Sequence, residues 1–168
     1  MRRLFQAAAG LVMLAVVAGC ANRGEEPFVG PVTQLLVQKG ERKMHLLSGN
    51  QIVKTYEVGL GFAPDGTKMF EGDGRTPEGT YFIDRVNPNS RYHLSLGISY
   101  PAPQDIERAR AMGVSPGSDI FIHGQGPEGQ ALSKQMRDWT AGCIAVTDEE
   151  MEEIFQIVRA GVPITIVP

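Results

Sequence analysis

The chain has 168 residues, of which 42% are hydrophobic and 21% are charged, a composition typical of one globular domain rather than a disordered or fibrous chain. Its 16 Lys and Arg against 19 Asp and Glu give a formal net charge of -3, so no basic surface is expected to bind the phosphate backbone of a nucleic acid. A multidomain machine and a nucleic-acid partner are therefore both disfavoured.

Residues 1–19 have the three parts of an export signal. Arg2 and Arg3 give a positive start, an apolar run of 12 residues extends from Ala7 to Ala18, and small residues precede Cys20. A helix that crosses a membrane needs about 20 apolar residues. The run therefore predicts a cleaved signal peptide and not a lasting transmembrane helix.

The four residues that end at Cys20 resemble the bacterial lipobox, in which the cysteine thiol receives a diacylglyceryl group and becomes the first residue of the mature chain. Several acyl chains, at about 0.8 kcal/mol for each buried CH₂, would hold the protein stably on a membrane. The alternative is an ordinary signal peptide in which Cys20 is incidental. We expect an exported, lipid-anchored protein of the periplasm. Since Ala21 is not an inner-membrane retention signal, the outer membrane is the expected destination.

The mature chain is predicted to form a tether over residues 20–31, which are polar and contain Pro and Gly, and one domain over residues 32–168. Three strand-like runs predict an antiparallel meander at the start of the domain: 32–37, 43–47 and 51–58. The glycine-rich residues 59–79 predict a long ordered loop, and such loops often carry function.

The second half of the domain alternates between short strands and short helices. Strands are predicted at 80–83, 92–99, 120–123 and 162–167, and helices at 104–112 and 133–139. The 104–112 helix is expected to bury Ile106, Ala109 and Met112 on one side. The clearest helix follows Thr147, which forms a capping box with Glu150, and carries an apolar stripe made of Met151, Ile154, Phe155 and Val158. Pro163 predicts an edge strand or the first residue of a strand.

Cys143 is the residue that most needs an explanation, because an unpaired thiol in an oxidising compartment is a liability unless it is buried or does chemistry. A reactive thiol needs a nearby base, since free cysteine titrates at about 8.5. His123 ends a strand, precedes a glycine turn and lies 20 residues before Cys143. His45 fits an ordinary strand histidine, and His93 is a weaker candidate for contact with a substrate. We therefore predict a Cys143–His123 pair.

No Cys-x-x-Cys or His-Glu-x-x-His pattern is present in the sequence, and the glycine-rich loop lacks the Lys-Ser/Thr end of a phosphate-binding loop. The sequence therefore predicts neither a metal site nor a cofactor.

The spacing of these residues is similar to a known signature. Ile122-His123-Gly124, followed after 15 residues by Thr140-Ala141-Gly142-Cys143-Ile144, resembles the signature of the L,D-transpeptidases with a YkuD-type catalytic domain. Residues 72–81, 99–101 and 138–146 resemble the single-domain branch of that family. The resemblance covers most of residues 32–168.

This resemblance implies a mostly β, sandwich-like domain with small helices, acting on a peptidoglycan stem peptide. It implies that Cys143 is the nucleophile and His123 the general acid and base, oriented by the backbone carbonyl of Gly124. The N–H groups of Gly142 and Cys143 are the expected oxyanion donors, and Thr140 fills the Ser/Thr position of the signature.

The sequence departs from the signature at Ala141, where many members have a second histidine, so the choice of acyl acceptor is open. Arg75 and Lys68 on the glycine-rich loop are candidates for binding substrate carboxylates, against the alternative of solvated loop charges. Trp139 is either a wall of the cleft or a core anchor.

Three functions follow from this interpretation, and the first is a membrane-tethered L,D-transpeptidase. The second is a hydrolase with the same site, either an L,D-carboxypeptidase or an endopeptidase that releases wall-attached protein. The third is a non-catalytic lipoprotein that binds the cell wall. A papain-like peptidase is disfavoured because in that class the cysteine precedes the histidine.

Overall fold

The computed structural model describes residues 30–168, so the predicted signal peptide and Cys20 lie outside the described residues. The strands are β1 (Gln34–Gln38), β2 (Lys43–Ser48), β3 (Gln51–Glu57), β4 (Gly79–Ser90), β5 (His93–Ile98), β6 (Phe121–His123), β7 (Ile144–Ala145) and β8 (Pro163–Val167). The helices are α1 (Pro103–Ala111), α2 (Gly126–Ser133) and α3 (Asp148–Ile157). None of these helices in the described part is long and apolar enough to cross a membrane.

The strands form one sheet of order β3-β2-β1-β8-β4-β5-β6-β7, and strand β4 joins its two halves. The first residues of β4 pair with β8, and its later residues pair with β5. Buried side chains of both halves, such as Leu35 and Ile122, belong to one hydrophobic cluster. The predicted fold class, mostly β with small helices, is confirmed, as is the opening antiparallel meander of β1, β2 and β3.

Strand β8 lies inside the sheet, parallel to β1 and antiparallel to β4. Leu35 pairs with Ile164 and Val37 with Ile166, and all four side chains are buried. Burying an aliphatic side chain of this size contributes about 1.5–3 kcal/mol. Pro163 is the first residue of β8, so the strand-start prediction is confirmed and the edge-strand alternative is wrong.

Helix α3 follows its capping box as predicted. The Thr147 hydroxyl accepts the N–H of Glu150 at 3.2 Å, and the Glu150 carboxylate accepts the N–H of Thr147 at 2.9 Å. Met151 and Ile154 are fully buried on its inner face. Helix α3 therefore holds in place the part of the chain between β7 and β8.

The predictions for the other two helices were partly wrong. Ile106 and Met112 of the α1 region are 47% and 45% exposed, and the buried polar residue is Asp105, which accepts the Tyr81 hydroxyl at 3.1 Å. Helix α2 ends at Ser133, where a helix was expected to begin. Its first turn contains Pro127, whose fixed φ suits that position in a helix. In the sequence, the neighbouring Gly126 made the same proline typical of a loop.

The glycine-rich loop packs behind the segment that contains Cys143. The backbones of Gly59 and Ala145 exchange two hydrogen bonds of 2.9 and 2.8 Å. The buried ammonium of Lys39 donates to the Thr76 carbonyl at 3.1 Å and to the Glu78 carboxylate at 2.8 Å. These bonds hold the loop against the sheet, and its Lys68 reaches the site.

Candidate active site

The parallel pairing of β6 with β7 brings the two predicted catalytic residues to one place. Ile122 pairs with Ile144 and His123 with Ala145, and Cys143 directly precedes β7. Cys143 and His123 both line a pocket of about 270 Å³, which we call the His123 pocket. Its other walls come from β5, from the segment before β6 and from the hairpin between β4 and β5.

The imidazole of His123 is held in one orientation and one tautomer. The residue is 4% exposed, and its Nδ1 lies 2.5 Å from the carbonyl oxygen of Gly124. A carbonyl oxygen can only accept, so Nδ1 carries the hydrogen and Nε2 keeps a lone pair. The ring stacks on Tyr92 at 4.8 Å between centroids and meets the edge of Trp139 at 5.6 Å. Burial lowers the pKa of His123 below its ordinary value of 6.5.

The thiol of Cys143 donates to the backbone carbonyl of Asp119 at 3.7 Å. Burial raises the pKa of this thiol above its ordinary value of 9.0, whereas the backbone N–H of Phe121 and the positive charge of Lys68 act in the opposite direction. Burial also disfavours the charged form of His123, so it acts against both a thiolate and an imidazolium in this pocket.

The turn before β7 is fixed by the side chain of Thr140. Its hydroxyl donates to the Cys143 carbonyl at 2.8 Å and accepts the N–H of Gly142 at 3.1 Å. Gly142 has φ +138, and a Cβ there would lie 2.7 Å from the carbonyl oxygen of Arg75, so this position requires glycine.

Only one of the two expected oxyanion donors is free in this arrangement. The Gly142 N–H is engaged by Thr140, which corrects the expectation for that group. The Cys143 N–H has no hydrogen-bond partner among residues 30–168. It is therefore available to a developing negative charge on a bound carbonyl oxygen.

A second pocket of about 190 Å³, which we call the Lys68 pocket, also reaches the sulfur. Cys143 and Asp119 line both pockets, so the pockets meet at the thiol. Lys68 and Ala141 line only the second pocket. The methyl group of Ala141 leaves open the space that a larger side chain would occupy.

The structure does not place every predicted residue in these pockets. His93 lies outside both, and its Nε2 pairs with Glu152 at 2.9 Å. Arg75 lines neither pocket, and only its backbone carbonyl approaches Gly142. Trp139 contacts the rings of His123 and Tyr92 and lines a different pocket. It supports the histidine and does not touch the space beside the thiol.

Sequence reasoning missed Asp119, Tyr92 and Asp148. Asp119 holds its carbonyl at the thiol with φ +56, unusual for a residue other than glycine, and its carboxylate pairs with Arg85 at 2.7 Å. One carboxylate oxygen of Asp148 accepts the N–H groups of Gln125 at 2.7 Å and Gly126 at 2.9 Å, which fixes the turn after His123. Only Asp148 had a signal in the sequence, since it follows the helix-capping Thr147.

Within residues 30–168, no three His, Cys, Asp or Glu side chains are grouped so that they would hold a metal ion.

The domain matches known proteins in sequence and in structure. The family model described as "YkuD: L,D-transpeptidase catalytic domain" matches residues 33–166. "Putative L,D-transpeptidase YafK" of Escherichia coli (strain K12) is 34% identical over 129 residues, which are 76% of this chain and 43% of that protein. The chain thus spans less than half the length of this curated relative.

Two solved structures illustrate the likeness in fold. The helical cell shape determining protein Pgp2 from Campylobacter jejuni matches with a TM-score of 0.64 and 23% identity, over 85% of this chain and 51% of that chain. L,D-transpeptidase 1 of Mycobacterium tuberculosis matches with a TM-score of 0.52 and 13% identity, over 83% of this chain and 63% of that chain. At these identities the likeness shows the fold.

Proposed function

This chain belongs to the L,D-transpeptidase catalytic-domain family, and from this premise we propose that it transfers acyl groups of peptidoglycan stem peptides with Cys143 as nucleophile and His123 as general acid and base. The observation that carries the proposal is the pairing of β6 with β7, which sets both residues on one pocket. The bare Nε2 of His123 is the base that a neutral thiol needs.

In the first step the thiol proton passes to Nε2 and the sulfur attacks the scissile carbonyl carbon. The Cys143 N–H donates to the oxygen that becomes negative. The C–N bond then breaks, and Nε2 returns the proton to the leaving amine. The product is a thioester on Cys143, with all atoms and charges accounted for. General acid–base catalysis of this kind contributes about 100- to 10,000-fold.

In the second step an acceptor amine attacks the thioester, a C–N bond forms and the C–S bond breaks. The proton lost by the amine passes through Nε2 back to the sulfur. This outcome is transpeptidation.

Water in place of the amine gives hydrolysis, which is the second candidate function. The observation that favours it is Ala141, which is exposed beside the thiol and leaves the Lys68 pocket open to solvent. The acyl-enzyme is common to both functions, and the exclusion of water decides between them.

The proposal includes a membrane anchor at Cys20, supported by the lipobox-like residues that end there. The tether of residues 20–31 reaches at most about 40 Å when fully extended. The site would then act on the part of the cell wall that lies within that reach of the membrane.

The test is incubation of the detergent-solubilised full chain with a disaccharide-tetrapeptide and with cross-linked muropeptides, followed by mass spectrometry. Cross-linked or exchanged products that vanish in Cys143→Ala support the transferase, and shortened products alone support the hydrolase. If no product depends on Cys143, the proposal fails and a non-catalytic wall-binding protein is favoured.

A further inference from the structure

Trp139 lines another pocket, which shares no lining residue with the two pockets at the thiol. We call it the Trp139 pocket. Its volume is about 250 Å³, and Gly59, Gln125 and Ala145 are among the residues that line it with Trp139. The indole of Trp139 meets the imidazole of His123 at 5.6 Å between ring centroids. A single contact between two rings therefore separates this pocket from His123.

Three side chains of the Trp139 pocket have polar atoms without a partner among residues 30–168. The indole N–H of Trp139 has no acceptor, and the Gln125 amide uses only its oxygen, which accepts the Ser133 hydroxyl at 3.2 Å. Glu150 uses one carboxylate oxygen, which completes the capping box of α3 at 2.9 Å. No buried polar side-chain atom of the same residues lacks a partner, so the free atoms are accessible. The pocket residues thus offer two neutral donors and one acceptor.

The charges around the Trp139 pocket disfavour an ionic ligand. The guanidinium of Arg137 is already occupied, since it donates to the Glu57 carboxylate and to the carbonyl oxygens of Val58 at 3.4 Å and Arg42 at 3.3 Å. Glu150 has no ion pair within the described part of the chain, so its carboxylate would repel an anion. A simple cation would leave the free indole and amide N–H groups of the pocket without an acceptor.

The buried wall of the Trp139 pocket is apolar. Val58, Ala145 and Val146 line it, and each is 2% exposed. Apolar walls with a few polar groups are typical of sites for small molecules, and drug-sized ligands occupy roughly 300–1,000 Å³. The slightly smaller volume here fits one sugar ring. Sugar hydroxyl groups both donate and accept, and the C–H groups of the ring can contact apolar side chains.

The Trp139 pocket lies within reach of a sugar that is joined to a peptide on Cys143. Ala145 in its wall is two residues from Cys143 and therefore at most about 7 Å away. After a stem tetrapeptide loses its fourth residue, three residues connect the thioester to the sugar. Three extended residues span about 10 Å, which is enough to cross the contact between His123 and Trp139.

We propose that the Trp139 pocket binds the N-acetylated sugar to which the stem peptide is attached. The inference rests on the proposed acyl transfer and names a part of the substrate that is recognised away from the reacting bond. The sugar accepts hydrogen bonds from the Trp139 indole and the Gln125 amide, and one of its hydroxyl groups donates to Glu150. The acetyl methyl group and the ring C–H groups contact the apolar wall.

Sugar binding is measured without turnover on the full chain carrying Cys143→Ala, in a detergent that has no sugar headgroup. Trp139 is the only tryptophan of the chain, so tryptophan fluorescence reports on this pocket. The ligand is N,N′-diacetylchitobiose, an uncharged disaccharide of N-acetylglucosamine, and cellobiose is the comparison without acetamido groups. We expect a saturable change in emission with the first ligand. We expect the second to bind about 2- to 12-fold more weakly, the effect of one neutral hydrogen bond.

Gln125→Ala removes the amide donor and is expected to weaken disaccharide binding by about 2- to 12-fold. Gln135→Ala, at an exposed glutamine outside the pocket, is the matched control and is expected to keep the affinity. Because Gln125 lies in the turn after His123, Glu150→Gln is the second variant. Glutamine keeps the capping box but places an amide donor where the free oxygen was, so the same loss is expected. Glu149→Gln is its matched control.

A second measurement compares thioester formation on the unaltered full chain with a disaccharide-tetrapeptide and with the tetrapeptide alone. Binding energy that is equal in the ground state and the transition state lowers the half-saturating concentration and leaves the maximum rate unchanged. More than one hydrogen bond to the sugar should lower the half-saturating concentration by at least about 10-fold. The maximum rates of the two substrates are expected to be equal.

No change in Trp139 emission with the disaccharide overturns the inference, as does a change that persists at full affinity in both Gln125→Ala and Glu150→Gln. Equal affinity for cellobiose overturns the assignment to an N-acetylated sugar. These results leave the acyl transfer in place, because it is measured as the thioester on Cys143. If no thioester forms but the disaccharide still changes the emission, the proposed function fails and the sugar site remains.

Discussion

The protonation states of Cys143 and His123 decide how the reaction starts. Burial disfavours both the thiolate of Cys143 and the imidazolium of His123. In many cysteine enzymes the thiol pKa is instead lowered by a neighbouring positive charge. Here the positive charge of Lys68 acts in that direction, and burial of the thiol outweighs it. In the proposed reaction the thiol therefore loses its proton to His123 during the attack.

Alkylation of Cys143 by iodoacetamide is expected to stay slow at neutral pH and to rise through an apparent pKa above 9.0, the ordinary value for this thiol. The catalytic rate is expected to fall in acid with a midpoint below 6.5, since burial lowers the pKa of His123. Rates measured from pH 4 to 11 check this, with Cys143→Ser as the blank. Full reactivity at pH 6 would show a thiolate–imidazolium pair instead.

Thr140→Val is expected to cost about 1–3 kcal/mol of unfolding free energy, because it leaves the buried Gly142 N–H and Cys143 carbonyl without their partner. It is also expected to slow thioester formation, because the Cys143 turn loses its bridge. Thr140→Ser keeps the hydroxyl and is the matched control. Urea unfolding and single-turnover acylation measure the two effects. A Val variant that acylates as fast as the Ser variant contradicts the role of the hydroxyl.

Among single residues, the sequence predicted those defined by type and spacing. Cys143, His123, Thr140 and the two glycines all belong to the short signature. The sequence did not predict Asp119, because it acts through a backbone carbonyl that any residue has. His93 was the weaker candidate for contact with a substrate, and in the structure its side chain pairs with Glu152 on α3.

Helix α3 links the capping of its own first turn to the turn that follows β6. Asp148 accepts two backbone N–H groups of that turn, and its other oxygen accepts the Gln130 amide at 2.9 Å. Burial would raise the pKa of Asp148, but the N–H groups of Gly126 and Gln125, Gln130 and the nearby His93 lower it below 3.8. The orientation of His123 therefore depends on a carboxylate of a different element.

Asp148→Asn is expected to destabilise the fold by about 1.5–3 kcal/mol at pH 7, the range for hydrogen bonds to a charged group. A carboxyl with a lowered folded pKa stabilises above its unfolded pKa, and that stabilisation is lost as the pH falls through the folded value. The difference between Asp148→Asn and the unaltered chain should thus shrink in acid. Urea unfolding at pH 7 and pH 3 measures it, with Glu149→Gln as control. A difference independent of pH contradicts this account.

The elements with the strongest local signals were predicted best. The capping box and apolar stripe of α3 are both present in the structure. Helix α1 and its buried Ala109 were predicted, but the burial of Ile106 and Met112 was wrong. The inner side of this helix instead contains Asp105, which is bonded to Tyr81. The start of α2 was missed because Gly126 and Pro127 are also typical of a turn. Such errors arise where a contact with a residue far away in the chain outweighs the structure that the neighbouring residues favour.

Across the whole chain, the membrane anchor and the wall-facing domain are two parts of one proposal. The predicted tether of residues 20–31 sets the distance between them. Once Arg2 and Arg3 are removed with the signal peptide, the mature chain has 14 Lys and Arg against 19 Asp and Glu and is therefore acidic. An acidic domain gains little from anionic lipid headgroups. Attachment is then expected to depend on Cys20 alone.

Expression of the full chain in a bacterium with labelled fatty acid is expected to label the protein, and Cys20→Ala is expected to abolish the label. Cys143→Ala is the matched control and should keep it. Detergent-phase partitioning of both variants gives a second readout of the same property. Label that persists in Cys20→Ala would contradict the lipid anchor and favour an ordinary signal peptide.

Local pattern in the sequence was enough to predict the mostly β character, the opening meander and helix α3, and to single out Cys143 and His123 as a candidate pair, because strand periodicity, helix caps and motif spacing can all be read from the sequence. Long-range register was not predictable in this way. The division of β4 between two partners, the parallel pairing of β6 with β7 and the approach of Lys68 to Cys143 join residues far apart in the chain. Such contacts depend on how whole strands and loops pack together, and the packing decides how the thiol is buried, which tautomer His123 adopts and which residues line the second pocket.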